Sequence, residues 1–202
     1  MIKIIDNFLT KSYHKNILEF LTYQDFEWVY LPNITGIADC PEFPEFNAYG
    51  LSHIFWHEEF GQKHTYLSHF ITPLLYQIMD VAECNYILRA RADMVTWTGK
   101  EEFIHPAHID FSYPNIASVF YVNDSDGDTI FYNIKPEDVP INGKTYEVMK
   151  HEELTEYDRV SPKANRVVLF EGDHFHTGCS PTKHKNRILI NSNYSKEDHR
   201  KK

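Results

Sequence analysis

A mainly β fold, closed on itself or built from two sheets and backed by helices near the N-terminus, is what this 202-residue sequence predicts. From Tyr86 onward, short β-like runs alternate with turn signals. The strongest helical periodicity lies earlier, between Leu67 and Ala82. No internal repeat or low-complexity tract interrupts the chain. The length suits one domain with a sizeable core. The expected organisation is a single domain over 1–202, with helical support and a loop region in 1–85, the β core in 86–195 and a basic tail in 196–202.

The elements follow in order. Ile2 to Ile5 reads as a short strand. Thr10 can cap a helix to about Thr22, with Ile17, Leu18 and Leu21 on one face. From Gln24 to about Gln62 the chain is polar and aromatic, and Pro41 and Pro44 break the segment ADCPEFPEFNAYG. A long loop with short strands is expected there, and the Tyr30–Gly50 part serves either as a wall of the site or as a structural cover. Leu67, Phe70, Ile71, Leu74, Leu75, Ile78, Met79 and Ala82 recur at helical spacing, so this helix should pack its apolar face on a sheet. Pro73 must sit in its first turn or kink it.

Ile87–Ala92, Met94–Trp97, Ile104–Phe111, Ala117–Val122 and Thr129–Tyr132 are the next predicted strands. The acidic run Asp124-Ser125-Asp126-Gly127-Asp128 is read as a hairpin turn. It lacks the glutamate of a calcium loop at the twelfth position, where Lys135 stands. Asn142-Gly143 reads as a second hairpin turn. Arg166–Phe170 and Arg187–Asn191 complete the strands.

Composition narrows the functional classes. A hydrophobic fraction of 42% is enough for an ordinary globular core. The net charge of −9 argues against broad nucleic-acid or anionic-membrane binding, which needs a basic face. The basic end His199-Arg200-Lys201-Lys202 reads as a solvated tail. Cys40, Cys84 and Cys179 are far apart and form no C-x-x-C pair, which fits a reducing cytoplasm without a disulfide framework or thiolate zinc site. Asp6 and Asn7 interrupt the N-terminal stretch before a signal-peptide core could form, and no stretch reaches the roughly 18 apolar residues of a transmembrane helix. A cytoplasmic protein is expected, and composition is silent on its oligomeric state.

With twelve histidines in the chain, spacing carries the information and single residues do not. His108 and Asp110 stand two apart in a predicted strand, so imidazole and carboxylate point to one face. A second histidine from elsewhere would complete a 2-His-1-carboxylate triad. Downstream, the strand Arg166–Phe170 leads through Glu171-Gly172-Asp173 to His174 and His176, either of which could supply it. Eleven residues after His176, Arg187 stands in an apolar run. An inward guanidinium there needs an anion, and it grips a carboxylate with two parallel bonds. Cys179 beside His176 has nothing to orient it as a nucleophile.

H-x-D, then a tyrosine in Tyr121-Val122-Asn123, then His176-Thr177-Gly178, then an arginine on the closing strand resembles the Fe(II)- and 2-oxoglutarate-dependent oxygenases. The prolyl-4-hydroxylase-like branch, including its small phage and bacterial members, is the nearest in character. The resemblance covers roughly residues 86–195. It implies a double-stranded β-helix (jelly-roll, cupin-like) core with iron at one open end. It also implies His108, Asp110 and His176 as Fe(II) ligands, with His174 the competitor for the third place. Arg187 would bind the far carboxylate of the cosubstrate 2-oxoglutarate, assisted by Tyr121. The implied activity is hydroxylation of a C–H bond with O2, releasing succinate and CO2. A peptide or protein, with peptidyl proline as one candidate, or a small molecule would be the substrate.

Two features depart from the family pattern. Gly127-Asp128 stands where many relatives have Gly-Gly, and Leu189 where a serine often helps hold the cosubstrate; Thr129 or Asn191 is left to supply that bond. His105 has the wrong parity for the His108 face and reads as a turn residue or a neighbour of the ligands. Arg89 and Arg91 share a face, for a salt bridge or the substrate cleft. Arg166 should face outward or pair with an acid, and His184 should be exposed. Other classes compatible with these residues are a cupin-type enzyme working without 2-oxoglutarate and a non-catalytic jelly-roll binding module.

Overall fold

The computed structural model describes residues 2–34, 49–57, 61–62, 65–99, 103–134 and 154–199. The segment around Pro41 and Pro44, Cys40, Lys135, the Asn142-Gly143 hairpin and Arg200 to Lys202 lie outside them.

The N-terminal part contains β1 (Ile2–Asp6), α1 (Lys11–Leu21), β2 (Val29–Leu31), β3 (Gly50–His57), β4 (Gly61–Gln62) and α2 (Thr65–Val81). Then come β5 (Tyr86–Thr96), β6 (Phe103–Ile104), β7 (Ile116–Tyr121) and β8 (Thr129–Tyr132). The last are β9 (Glu156–Val160), β10 (Arg166–Glu171), β11 (His176–Ser180) and β12 (Asn186–Ser195). Among the described residues the large sheet runs β1-β10-β7-β12-β5-β3-β2, with β4 beside β3, and the small sheet runs β6-β11-β8-β9. Residues of both line one cavity. Two such sheets with helices outside make the double-stranded β-helix arrangement.

Thr10 caps α1 as its sequence suggests, its hydroxyl accepting from Tyr13 N. Ile17 and Leu21 of α1 join Leu67, Ile71, Leu74, Leu75 and Ile78 of α2 against Phe120, Val167, Ile188 and Ile190 of the large sheet. Burying each of these aliphatic side chains contributes about 1.5–3 kcal/mol. Pro73 lies within α2, beyond its first turn. Beside it the Tyr13 hydroxyl donates to Phe70 O at 2.7 Å, tying the two helices together where a proline weakens the ladder. No helix among the described residues is long and apolar enough to cross a membrane.

Strand alternation sorts β12 into two faces. Ile188 and Ile190 enter the helix-side core, while Arg187, Leu189 and Asn191 line the cavity. The N-terminal strand β1 is also built into the large sheet, Ile2 opposite Phe170 and Asp6 opposite Arg166. Arg166 pairs with Asp6 at 2.6 Å. Just beyond, Asn165 adopts φ 64° and is buried. It accepts from Leu9 N and donates to Leu9 O, both at 2.9 Å, and its own N–H donates to Tyr121 O.

Three expected elements differ. The two strands expected on either side of Asp93 are one strand, β5, because Asp93 stays in register opposite Leu189 with its carboxylate held by neighbouring side chains. The strand expected over Ile104–Phe111 shrinks to β6 and a single bridge between His108 and His176. Pro106 lacks the N–H that a continuous ladder needs. The run Asp124–Asp128 is a crossover between sheets and not a hairpin, since β7 pairs with β10 and β12 while β8 pairs with β11 and β9. Its Asp126 carboxylate accepts from Thr182 N, Lys183 N and His184 N, fastening the β11–β12 turn.

Candidate active site

His108, Asp110 and His176 converge at one end of the cavity, each offering a ligand atom within 4.8 Å of the others. The two histidines are brought together by the backbone. His108 N donates to His176 O and His176 N to His108 O, each at 3.0 Å. Each ring is then turned by the carbonyl two residues before it. His108 Nδ1 lies 3.0 Å from Pro106 O, and His176 Nδ1 lies 3.0 Å from His174 O. A carbonyl only accepts, so both Nδ1 atoms carry the proton and both Nε2 lone pairs are left for a ligand. His108 Nε2 lies 3.9 Å from Asp110 Oδ1, and His176 Nε2 lies 4.0 Å from Asp110 Oδ2.

Burial, and then the neighbouring His108, push His176 down to about 4; burial likewise lowers His108, against the pull of Asp110. Both imidazoles are therefore neutral, the form that binds a metal. Burial is the strongest single influence on Asp110 and would raise it, but the Arg89 guanidinium, the two histidines and the Asn193 hydrogen bond together outweigh it and hold the carboxyl well below its ordinary range. Arg89 donates to Asp110 Oδ1, and Asn193 Nδ2 donates to Oδ2 at 2.9 Å. Arg89 and Asn193 face each other across the β5–β12 register, so strand pairing sets this cradle. Two neutral imidazoles and an oriented carboxylate, without a thiolate, are a donor set suited to non-haem Fe(II).

Further along β12, Arg187 is buried and donates from Nη2 to Thr129 Oγ1 at 2.7 Å. Thr129 in turn meets the Tyr121 hydroxyl at 2.6 Å. Tyr121 thus stands behind Arg187, its ring 5.6 Å from the guanidinium carbon, and Thr129 is the hydroxyl facing the cavity. Arg187 Nε has no hydrogen-bond partner among the described residues. A buried guanidinium with a vacant donor beside a three-ligand cluster fits an anionic cosubstrate. Space is kept for it by Gly178, where an added Cβ would stand 2.7 Å from Arg187 Nη1.

The expected residues separate clearly in space. His174 lies outside the cluster, its Nδ1 3.3 Å from Asp173, and His184 is exposed against Asp126. Asn191 donates to Asp93 at 2.8 Å rather than to Arg187. His105 is a cavity residue despite its parity, since the strand is broken before His108 and alternation no longer applies. Burial, then the Arg187 charge, push it down to about 3, and its Nε2 lies 3.1 Å from Ser180 Oγ. Sequence reasoning also missed Arg89 and Asn193 as partners of Asp110. Arg89 and Arg91 sharing a face was the only available signal.

No family model and no curated protein sequence matches the chain. Solved structures do match its fold. The epimerase SnoN, solved in complex with Fe3+, alpha ketoglutarate and nogalamycin RO, is 10% identical at a TM-score of 0.65 over 96% of this chain and 78% of its own. A Pseudomonas putida prolyl-4-hydroxylase is 12% identical at 0.58, covering 96% and 92%. A Trichoplax adhaerens prolyl hydroxylase, in complex with a hypoxia inducible factor peptide, is 16% identical at 0.57, covering 99% and 86%. The chain shares the double-stranded β-helix fold of the 2-oxoglutarate-Fe(II) oxygenases.

Proposed function

We propose that the protein is an Fe(II)- and 2-oxoglutarate-dependent oxygenase that hydroxylates a C–H bond of its substrate. The observation that carries this reading is the convergence of His108, Asp110 and His176 beside a buried Arg187 with an unpartnered nitrogen. In it the three residues hold Fe(II), and Arg187 grips the far carboxylate of 2-oxoglutarate, with Thr129 and Tyr121 fixing the guanidinium. Bound Fe(II), with 2-oxoglutarate and O2, supplies the oxidising power for hydroxylation, leaving succinate and CO2. The protein residues orient: Arg89 and Asn193 aim Asp110, and the Pro106 and His174 carbonyls aim the imidazoles.

The likeness to prolyl hydroxylases makes peptidyl proline a substrate to test, and the likeness to the epimerase makes small molecules another. Anaerobic titration with Fe(II) and 2-oxoglutarate tests the assignment. A weak visible charge-transfer band that needs both components is the expected result. Fe(II) binding without a response to 2-oxoglutarate would favour a cupin-type enzyme, and no Fe(II) binding would favour a silent binding module.

A further inference from the structure

One strand over from Arg187, the inner face of β5 carries charge that the proposed metal and cosubstrate site does not use. Arg91 and Asp93 line the same cavity as His108, Asp110 and His176, together with Asn191 of β12. The register places Arg91 opposite Asn191 and Asp93 opposite Leu189, so the three side chains form one patch beside the ligand cluster.

The bonding within the patch is incomplete. Asp93 is 3% exposed, and its Oδ2 accepts from Asn191 Nδ2 at 2.8 Å. Arg91 Nε lies 2.9 Å from the same Oδ2, as an ion pair whose N–H is not aimed along a hydrogen bond. Asp93 Oδ1 is buried and meets no donor among the described residues, and Arg91 Nε makes no aligned hydrogen bond among them. Buried polar groups are ordinarily paired, so a carboxylate oxygen without a donor in the wall of a cavity marks a place where an incoming donor would be satisfied.

The charges say what would fit. A ligand bearing only an anion is repelled by Asp93, and one bearing only a cation is repelled by Arg91. An apolar ligand leaves Asp93 Oδ1 without a partner. A group carrying a cationic donor beside an anionic acceptor satisfies both, and charge-assisted bonds are about twice as strong as neutral ones. We propose that Arg91, Asp93 and Asn191 form a recognition site for the zwitterionic head group of a free α-amino acid, the ammonium on Asp93 Oδ1 and the carboxylate on Arg91. This rests on the oxygenase reading, since it names the substrate class of that same cavity. Peptidyl proline, with its nitrogen acylated and its carboxyl amidated, presents neither charge and serves as the contrast.

The test starts from the native protein loaded anaerobically with Fe(II) and 2-oxoglutarate. The twenty common free L-amino acids and their N-acetyl amides are added one by one, and the charge-transfer band is followed. Succinate release is then measured in air. At least one free amino acid is expected to perturb the band and to raise succinate release by about tenfold or more, the scale of one lost or gained charge-assisted bond. Its blocked derivative should do neither. Asp93→Asn and Arg91→Gln should each raise the half-saturating concentration of that amino acid by about tenfold or more. Circular dichroism melts check that both variants fold. If the band forms but no free amino acid perturbs it, or the blocked derivatives act equally well, the proposal is overturned while the oxygenase reading stands. If no band forms, both fall together.

Discussion

Asn193 donates its side-chain amide to Asp110 Oδ2 across 2.9 Å, while Arg89 holds Oδ1 of the same carboxylate. Both oxygens are thereby fixed before any metal arrives. Asn193→Ala should weaken binding of Fe(II), or of Co(II) as its spectroscopic substitute, about 10- to 100-fold, as loss of an outer hydrogen bond to a ligand typically does. A Co(II) absorption titration measures this directly. An unchanged affinity would reduce Asn193 to a packing role.

The choice between the two downstream histidines has a direct comparison. His108→Ala, Asp110→Ala and His176→Ala should each abolish 2-oxoglutarate turnover, whereas His174→Ala should retain it. The His176 backbone N–H, bonded to His108 O, survives the alanine substitution, so a loss there reports on the imidazole. Comparable loss in the His174 and His176 variants would undo the ligand assignment.

Arg187→Lys keeps the charge but forfeits the planar fork, and should raise the KM for 2-oxoglutarate about tenfold or more. Gly178→Ala tests the same grip from the outside, because its Cβ would press on Arg187 Nη1 at 2.7 Å. Steady-state succinate assays across 2-oxoglutarate concentrations check both, and the expected signature is a change in KM larger than the change in kcat.

His105 makes stability depend on pH. Its folded value, pushed down to about 3, lies below its ordinary 6.5, so the fold favours the neutral ring. Above 6.5 neither state is protonated and the contribution is fully present. As pH falls from 6.5 toward 3, the unfolded chain takes up a proton that the folded one does not. Stability is then lost at about 1.4 kcal/mol per pH unit for such a group. Urea unfolding of the metal-free protein at pH 7.5, 6.5 and 5.5 should show falling midpoints, with a shallower slope in His105→Asn.

Asn165 joins the segment between β1 and α1 to the sheet through bonds to Leu9 and Tyr121 and sits in the left-handed region. Asn165→Ala removes the side-chain bonds and strains the backbone, and should destabilise the protein by about 2 kcal/mol or more. Asn165→Gly relieves the strain alone and should recover part of that loss in a thermal melt.

What the sequence made legible follows from how local each signal is. Thr10 caps α1 through its own neighbour, and Ile188 and Ile190 alternate with Arg187 and Leu189, so both elements are visible in a short window. β11 was missed because His-Thr-Gly-Cys-Ser has no apolar alternation; its place is set by pairing with β6 and β8. β9 was missed for a related reason, being mostly exposed. In the site, His108, Asp110, His176 and Arg187 were expected together on family order. The hold of Arg89 and Asn193 on Asp110 joins residues 21 and 83 positions away from it, a relation only the strand register creates.

The reciprocal backbone bonds between His108 and His176 tie the two ligand-bearing segments to each other. Separating the two chain segments at that bridge breaks both backbone hydrogen bonds and withdraws both nitrogens in one event. Local opening of the bridge would then release both histidine ligands of a bound ion together. Amide hydrogen exchange offers a clock for it: the His108 and His176 N–H protons should slow together when metal is added, by the same factor, and quicken together when a chelator removes it.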